Sequence, residues 1–168
     1  MGGILMPLIL DGSNPISQAG GGTGAAAMPA FSAFRGTSSQ AITTGVETKV
    51  QLNAEDFDTA SAFDSTTNFR FTPATAGYYQ LDGTIQLTGT LITDGYCVIY
   101  KNGAVFKYGS RLVAATGVGT TNSSVSALVF LNGTTDFVEL FAFASATTPL
   151  VAFGSASSFF SGCLSRGI

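Results

Sequence analysis

This chain offers few starting points for chemistry. Its 168 residues contain no histidine, which removes the commonest general base and the imidazole metal ligand. Ser-His-Asp and Cys-His catalysis are therefore excluded. Carboxylates are what remain. Glu55, Asp56 and Asp58 lie close together, with Asp64 six residues beyond Asp58. Paired carboxylates can perform acid–base work or hold Ca²⁺. The same composition also describes a solvated acidic loop, and no spacing here matches a ligand loop. No catalytic, cofactor-binding or metal-binding residue is assigned, and the expectation is a non-enzymatic protein. The two cysteines, Cys97 and Cys163, have no metal-ligand spacing; free thiols within strands are the preferred expectation, with an inter-sheet disulfide as the alternative. The tyrosines Tyr78, Tyr79, Tyr96, Tyr100 and Tyr108 could form a sugar-binding face. Tyrosine is equally at home in strands and at subunit interfaces, and that reading is preferred.

The elements that must position these residues are strands. Phe69-Arg70-Phe71-Thr72 alternates apolar and polar. Pro73 to Gly77 breaks it with a turn. Tyr79, Leu81, Ile85 and Leu87 then share one face, with Gln80, Asp82, Thr84 and Gln86 on the other. Such alternation predicts strands with one buried face. Val46 to Leu52 predicts a strand with Val46, Thr48, Val50 and Leu52 on one side. Asp56 to Phe63 is read as irregular, anchored by Phe57 and Phe63. Thr93-Asp94-Gly95 is read as a turn, and Asn102-Gly103 as a type I′ hairpin. Ala114–Asn122 and Ala144–Gly154 are read as small-residue loops. Ser123–Leu131 is read as a near-continuous buried strand. No amphipathic helix is evident, and many short strands separated by Gly and Asn turns point to a sandwich or jelly roll.

The residues then resemble a known family. Phe69-Arg70-Phe71-Thr72-Pro73 leading to Gly77-Tyr78-Tyr79 and a long strand is similar to the C1q/TNF-like jelly-roll domain. Pro29-Ala30-Phe31-Ser32-Ala33 resembles the opening strand of that family. Ala127 to Gly133 followed by Asp136-Phe137-Val138-Glu139-Leu140 resembles its paired late strands. Ser158-Phe159-Phe160-Ser161-Gly162-Cys163-Leu164 resembles its ending. The motifs occur in order across residues 29–168. The resemblance implies an all-β, C1q/TNF-like jelly-roll sandwich and a homotrimer. Tyr78, Tyr79, Phe159 and Phe160 are the expected trimer-interface residues, because strands that are apolar on both faces need a second cover.

Ahead of this domain lie two further segments. Residues 1–18 hold the apolar run Ile4, Leu5, Leu8, Ile9 and Leu10, broken by Pro7. The run is far shorter than the roughly 20 residues of a membrane span, and it lacks the basic start of a signal peptide. Synthesis in a cytoplasm is expected, with the run serving as an anchoring arm. Residues 19–28 form a Gly/Ala-rich linker. From Pro15 to Ala25 the chain resembles the S-Q-G-G-T-G-A segments of bacteriophage fibre proteins, with an Ala-Gly insertion after Gln18. This likeness directs the reading to a phage virion.

Composition narrows the partners. Charged residues are 10%, against roughly 25% in ordinary soluble domains. Net charge is −3 with no basic run, so no nucleic-acid partner is expected. The preferred reading is a homotrimeric capsid decoration or cement knob, held through its arm to the major capsid protein or another virion protein. The alternative is the head of a short tail or head fibre that recognises a host-surface glycan, with Ala114–Asn122 and Ala144–Gly154 as the places for the sugar. A secreted C1q-like ligand is disfavoured, since neither a signal peptide nor a collagen-like stalk is present.

Overall fold

The computed structural model describes residues 28–168. Ten strands, and no helix, occur among the described residues: β1 Ala30–Phe34, β2 Gln40–Ala41, β3 Thr48–Lys49, β4 Ala54–Asp58, β5 Phe63–Asp64, β6 Arg70–Phe71, β7 Gly77–Lys101, β8 Ala104–Leu131, β9 Val138–Val151 and β10 Phe159–Gly167. The anchoring residues Ile4, Leu5, Leu8, Ile9 and Leu10 and the phage-like Gly-rich segment lie outside the described residues.

Two long strands organise the sandwich. β7 has 25 residues and β8 has 28, several times the usual length. Each serves both layers. The first half of β7 pairs with β10 and with the second half of β8; its second half pairs with β9 and with the first half of β8. The change of layer falls between Thr88 and Asp94, where the pairing register shifts and Leu91 takes a φ of 55°. One layer therefore reads β4, β1, β10, β7 and the end of β8. The other reads the start of β8, β7 and β9, extended by β2, β3, β6 and β5. Their inner faces meet in one apolar core. Phe31 of the first layer stacks on Phe71 of the second at 4.3 Å, and its ring meets that of Phe160 edge-on at 5.3 Å. At Gly83 a Cβ would stand 2.8 Å from Leu140 Cδ1, so glycine sets how closely the layers approach.

The expected all-β jelly roll is present, and the Asn102-Gly103 hairpin has φ of 54° and 78°, as a type I′ turn requires. Several segment expectations need correction. Thr93-Asp94-Gly95 lies inside β7, Ala114–Asn122 lies inside β8, and β9 continues to Val151. Threonine is β-branched and favours pleated backbone, so Thr/Gly-rich composition there marks twisted, bulged strand. Only Thr48–Lys49 of the Val46–Leu52 segment forms ladder pairs; Val50 and Leu52 are buried, whereas Val46 is exposed. Ala54–Asp58 is a strand, and its Phe57 is exposed while Phe63 belongs to the core.

Candidate functional site

The carboxylates do not converge. Asp58 accepts hydrogen bonds from Ala60 N and Phe63 N. Asp64 accepts from the backbone N–H groups of Thr67 and Thr66 and from the Asn68 side-chain amide, which hold its carboxyl well below the usual range. Asp56 accepts from the Ser32 hydroxyl. Each caps its own turn or ties down a neighbour. Among the described residues no group of three or more acidic or cysteine side chains is placed to hold a metal ion. Both cysteines are free; Cys97 is buried and Cys163 exposed. Burial pushes the Cys97 thiol up to about 11, which leaves it protonated and a poor nucleophile at neutral pH.

The four expected interface residues separate. Successive side chains on a strand point to opposite faces, so Tyr78 and Tyr79 cannot both face a partner. Tyr79 and Phe160 are each 0% exposed. The Tyr79 hydroxyl donates to Thr75 O at 2.8 Å, and its ring lies 5.5 Å from that of Phe71. Both are core residues, a correction to the expected interface. Tyr78 and Phe159 point the other way; Tyr78 is 43% exposed and Phe159 is half-buried.

Around Tyr78 the outer face of the first layer carries an apolar patch. Tyr78 is paired across the ladder with Phe130, with ring centroids 5.5 Å apart. Leu128 is 55% exposed and Phe130 is 38% exposed. A hollow of about 330 Å³ is lined by Tyr78, Leu128, Ser165 and Arg166. Among the described residues this half of β8 pairs with β7 alone; at its other edge Ser124 N donates to Ser110 Oγ and Phe130 O accepts from Lys101 Nζ, and no strand pairs the stretch between them. An unpaired apolar edge is a template for association. Ser123–Leu131 is therefore not buried throughout, a correction to the expected near-continuous buried strand: Val125, Ala127, Val129 and Leu131 fill the core face, and Leu128 and Phe130 in the same apolar run occupy the other.

The described chain also begins at this end of the sheet. Leu164 N donates to Pro29 O at 2.9 Å, and the Thr59 hydroxyl donates to Met28 O at 3.1 Å. Ala30 is paired with Cys163, and Arg166 with Tyr78.

The outer face of the second layer is different in kind. Tyr96 stacks on Phe143 at 4.7 Å and Tyr100 on Phe141 at 4.0 Å. The Tyr96 hydroxyl donates to Glu47 Oε1 at 2.9 Å, and the Tyr100 hydroxyl donates to Glu47 Oε2. Burial, followed by these bonds to Glu47, raises both phenols, Tyr100 to about 12. Lys49 pairs with the buried Glu139 at 2.5 Å. Arg111 pairs with Asp94 through two nitrogens and lies 5.2 Å from the centre of the Tyr96 ring. A hollow of about 360 Å³ is lined by Tyr96, Tyr108, Gly109 and Arg111. The segments expected to carry a sugar site, Ala114–Asn122 and Ala144–Gly154, are largely strand.

No family model matches the sequence, and no curated protein matches it. Solved structures do. The globular domain of zebrafish complement 1qA aligns with 84% of this chain and 99% of its own, at 20% identity and a TM-score of 0.60. Eiger TNF from S. frugiperda aligns with 84% and 94%, at 11% identity and a TM-score of 0.64. Murine APRIL aligns with 82% and 98%, at 9% identity and a TM-score of 0.61. At such identities the likeness is one of fold: the described residues form a C1q/TNF-like jelly roll.

Proposed function

We propose that this chain is a non-enzymatic structural protein of a bacteriophage virion, a homotrimeric capsid decoration or cement knob. The observation that carries the reading is the Tyr78–Leu128–Phe130 patch beside a strand edge that no other strand pairs among the described residues. An edge with exposed large apolar side chains calls for a second copy, and a closed ring of three leaves no edge uncovered. The C1q/TNF-like fold supports the same assembly. Tyr78 and Phe159 remain interface candidates, joined by Leu128 and Phe130.

The arm supports the anchoring role. Because Met28 and Pro29 sit at the Tyr78–Arg166 end of the sheet, a threefold arrangement about that face brings three arms out together. Ile4, Leu5, Leu8, Ile9 and Leu10 then insert in grooves of the major capsid protein or another virion protein. Three weak contacts joined through one knob give high avidity. The Gly-rich linker lets the arms accommodate a lattice of different symmetry. The resemblance of Pro15 to Ala25 to phage fibre segments supports the virion location.

Light scattering on the full chain should return the mass of three copies. A chain lacking residues 1–27 should remain trimeric and lose its hold on shells. Full decoration by the shortened chain would refute the arm, and a monomeric full chain would refute the knob.

A further inference from the structure

Tyr108 and Arg111 are three residues apart on one strand, so plain alternation would send them to opposite faces. They share the outer face of the second layer. The pairing explains this: Tyr96 faces Arg111 and Val98 faces Tyr108, so β8 advances three residues while β7 advances two. The extra residue is a β-bulge at Gly109-Ser110, a device that re-aims side chains and concentrates near functional sites. It is held in place from inside. The buried Ser123 hydroxyl donates to Ser110 O at 2.5 Å and accepts from Cys97 N at 2.8 Å, and Ser124 N donates to Ser110 Oγ at 3.0 Å. A Cβ on Gly109 would stand 2.5 Å from Ser124 O. The bulge opens the 360 Å³ hollow, within the range of small-ligand sites.

The lining selects the ligand class. Tyr108 stands edge-on to Tyr96 with centroids 5.5 Å apart, and it is 58% exposed, so its ring can pack against an apolar ring face. Arg111 and Asp94 cancel each other's charge, which leaves no free cation to hold a phosphate or carboxylate. The place of a cation over the Tyr96 ring is already taken by Arg111. A neutral ring with C–H faces and several hydroxyls fits what remains: aromatic walls, a phenol, and guanidinium and carboxylate edges.

We propose that the hollow at the Gly109-Ser110 bulge is a binding site for a neutral pyranose, as the terminal unit of a larger glycan. It lies on the opposite layer from the Tyr78 patch, so it stands whether or not the knob reading holds.

The test is saturation-transfer NMR on the full chain with three probes: the methyl α-pyranosides of glucose, galactose and mannose. At least one should bind with a Kd on the order of 1 mM. Tyr108→Ala should weaken that binding about tenfold. Tyr108→Phe, which keeps the ring, should weaken it less, and Tyr78→Ala on the other layer should leave it unchanged. No transfer from any of the three probes would overturn the proposal. So would transfer that Tyr108→Ala leaves intact, or stronger transfer to N-acetylneuraminic acid than to the neutral glycosides.

Discussion

Glu47 shows how much one side chain organises here. Its two oxygens accept the hydroxyls of Tyr96 and Tyr100, which fixes two aromatic rings of the outer face in position. Neutralising it should therefore be read out by the tyrosines themselves. In Glu47→Gln the charge that opposes phenolate formation is gone, and ultraviolet titration should show Tyr100 moving down from about 12 toward the ordinary value near 10. Burial, the larger cause, should keep it from reaching that value. A raised phenol stabilises the fold below about pH 10, and that contribution is lost as pH rises through the folded value. Asp136 works in the opposite direction. It accepts hydrogen bonds from Asn102 Nδ2 and Asn132 N and pairs with Lys101 at 3.0 Å. The Asn102 bond above all lowers its pKa. Its stabilising contribution is present above the unfolded value of about 3.9 and is lost as pH falls through the folded one. Asp136→Asn should cost about 1–2 kcal/mol at neutral pH and flatten the acid side of a urea-unfolding stability profile. An unchanged acid side would show that the other carboxylates, Asp64 foremost, set it.

At the scale of elements, what could be read in advance was what alternation writes down. The core face of the first half of β7, from Tyr79 to Leu87, follows directly from period-two patterning, as does the Asn102-Gly103 turn from its two residues. The segments that escaped are those where the ladder departs from period two. Thr93 to Gly95 resembles a turn in composition, yet Asp94 and Gly95 have ladder partners on both sides that hold the segment in β7. The outer-layer hollow depends on a bulge that only pairing to β7 reveals, so the Tyr108–Arg111 spacing pointed away from it. The interface expectation failed at Tyr79 and Phe160 for a simpler reason: doubled aromatics occupy both faces, and one of each pair must enter the core. A glycine at the β8–β9 turn gives a test at this scale. Gly133 has a φ of 72°, and a Cβ there would stand 2.5 Å from Ala76 N. Gly133→Ala adds left-handed strain to a backbone collision, and should destabilise the domain by more than about 1 kcal/mol in urea unfolding. Gly103→Ala, where a Cβ meets nothing within 4 Å, should cost less and isolates the conformational part.

For the whole molecule, the scarcity of charge decides how an assembly would hold together. Among the described residues three ion pairs are present, Lys49–Glu139, Lys101–Asp136 and Arg111–Asp94, and all lie within one chain. The proposed contact face offers Tyr78, Leu128, Phe130 and Phe159, whose association gains from removing apolar surface from water. Fully burying one such side chain contributes about 1.5–3 kcal/mol, and salt screens charges without weakening that term. The proposed trimer should therefore keep its mass by light scattering from low salt to about 1 M, where the Debye length has fallen to roughly 3 Å. Leu128→Glu places a charge in that face while leaving the core untouched, and should yield folded monomers with an unchanged circular dichroism spectrum. Phe160→Ala acts on the core instead, at a cost of about 3–5 kcal/mol, and should lower the unfolding midpoint. Those two responses, dissociation without unfolding and unfolding without prior dissociation, assign the outer and inner faces of the first layer their separate roles. A Leu128→Glu chain that stayed trimeric would move the contact away from the Tyr78 face altogether.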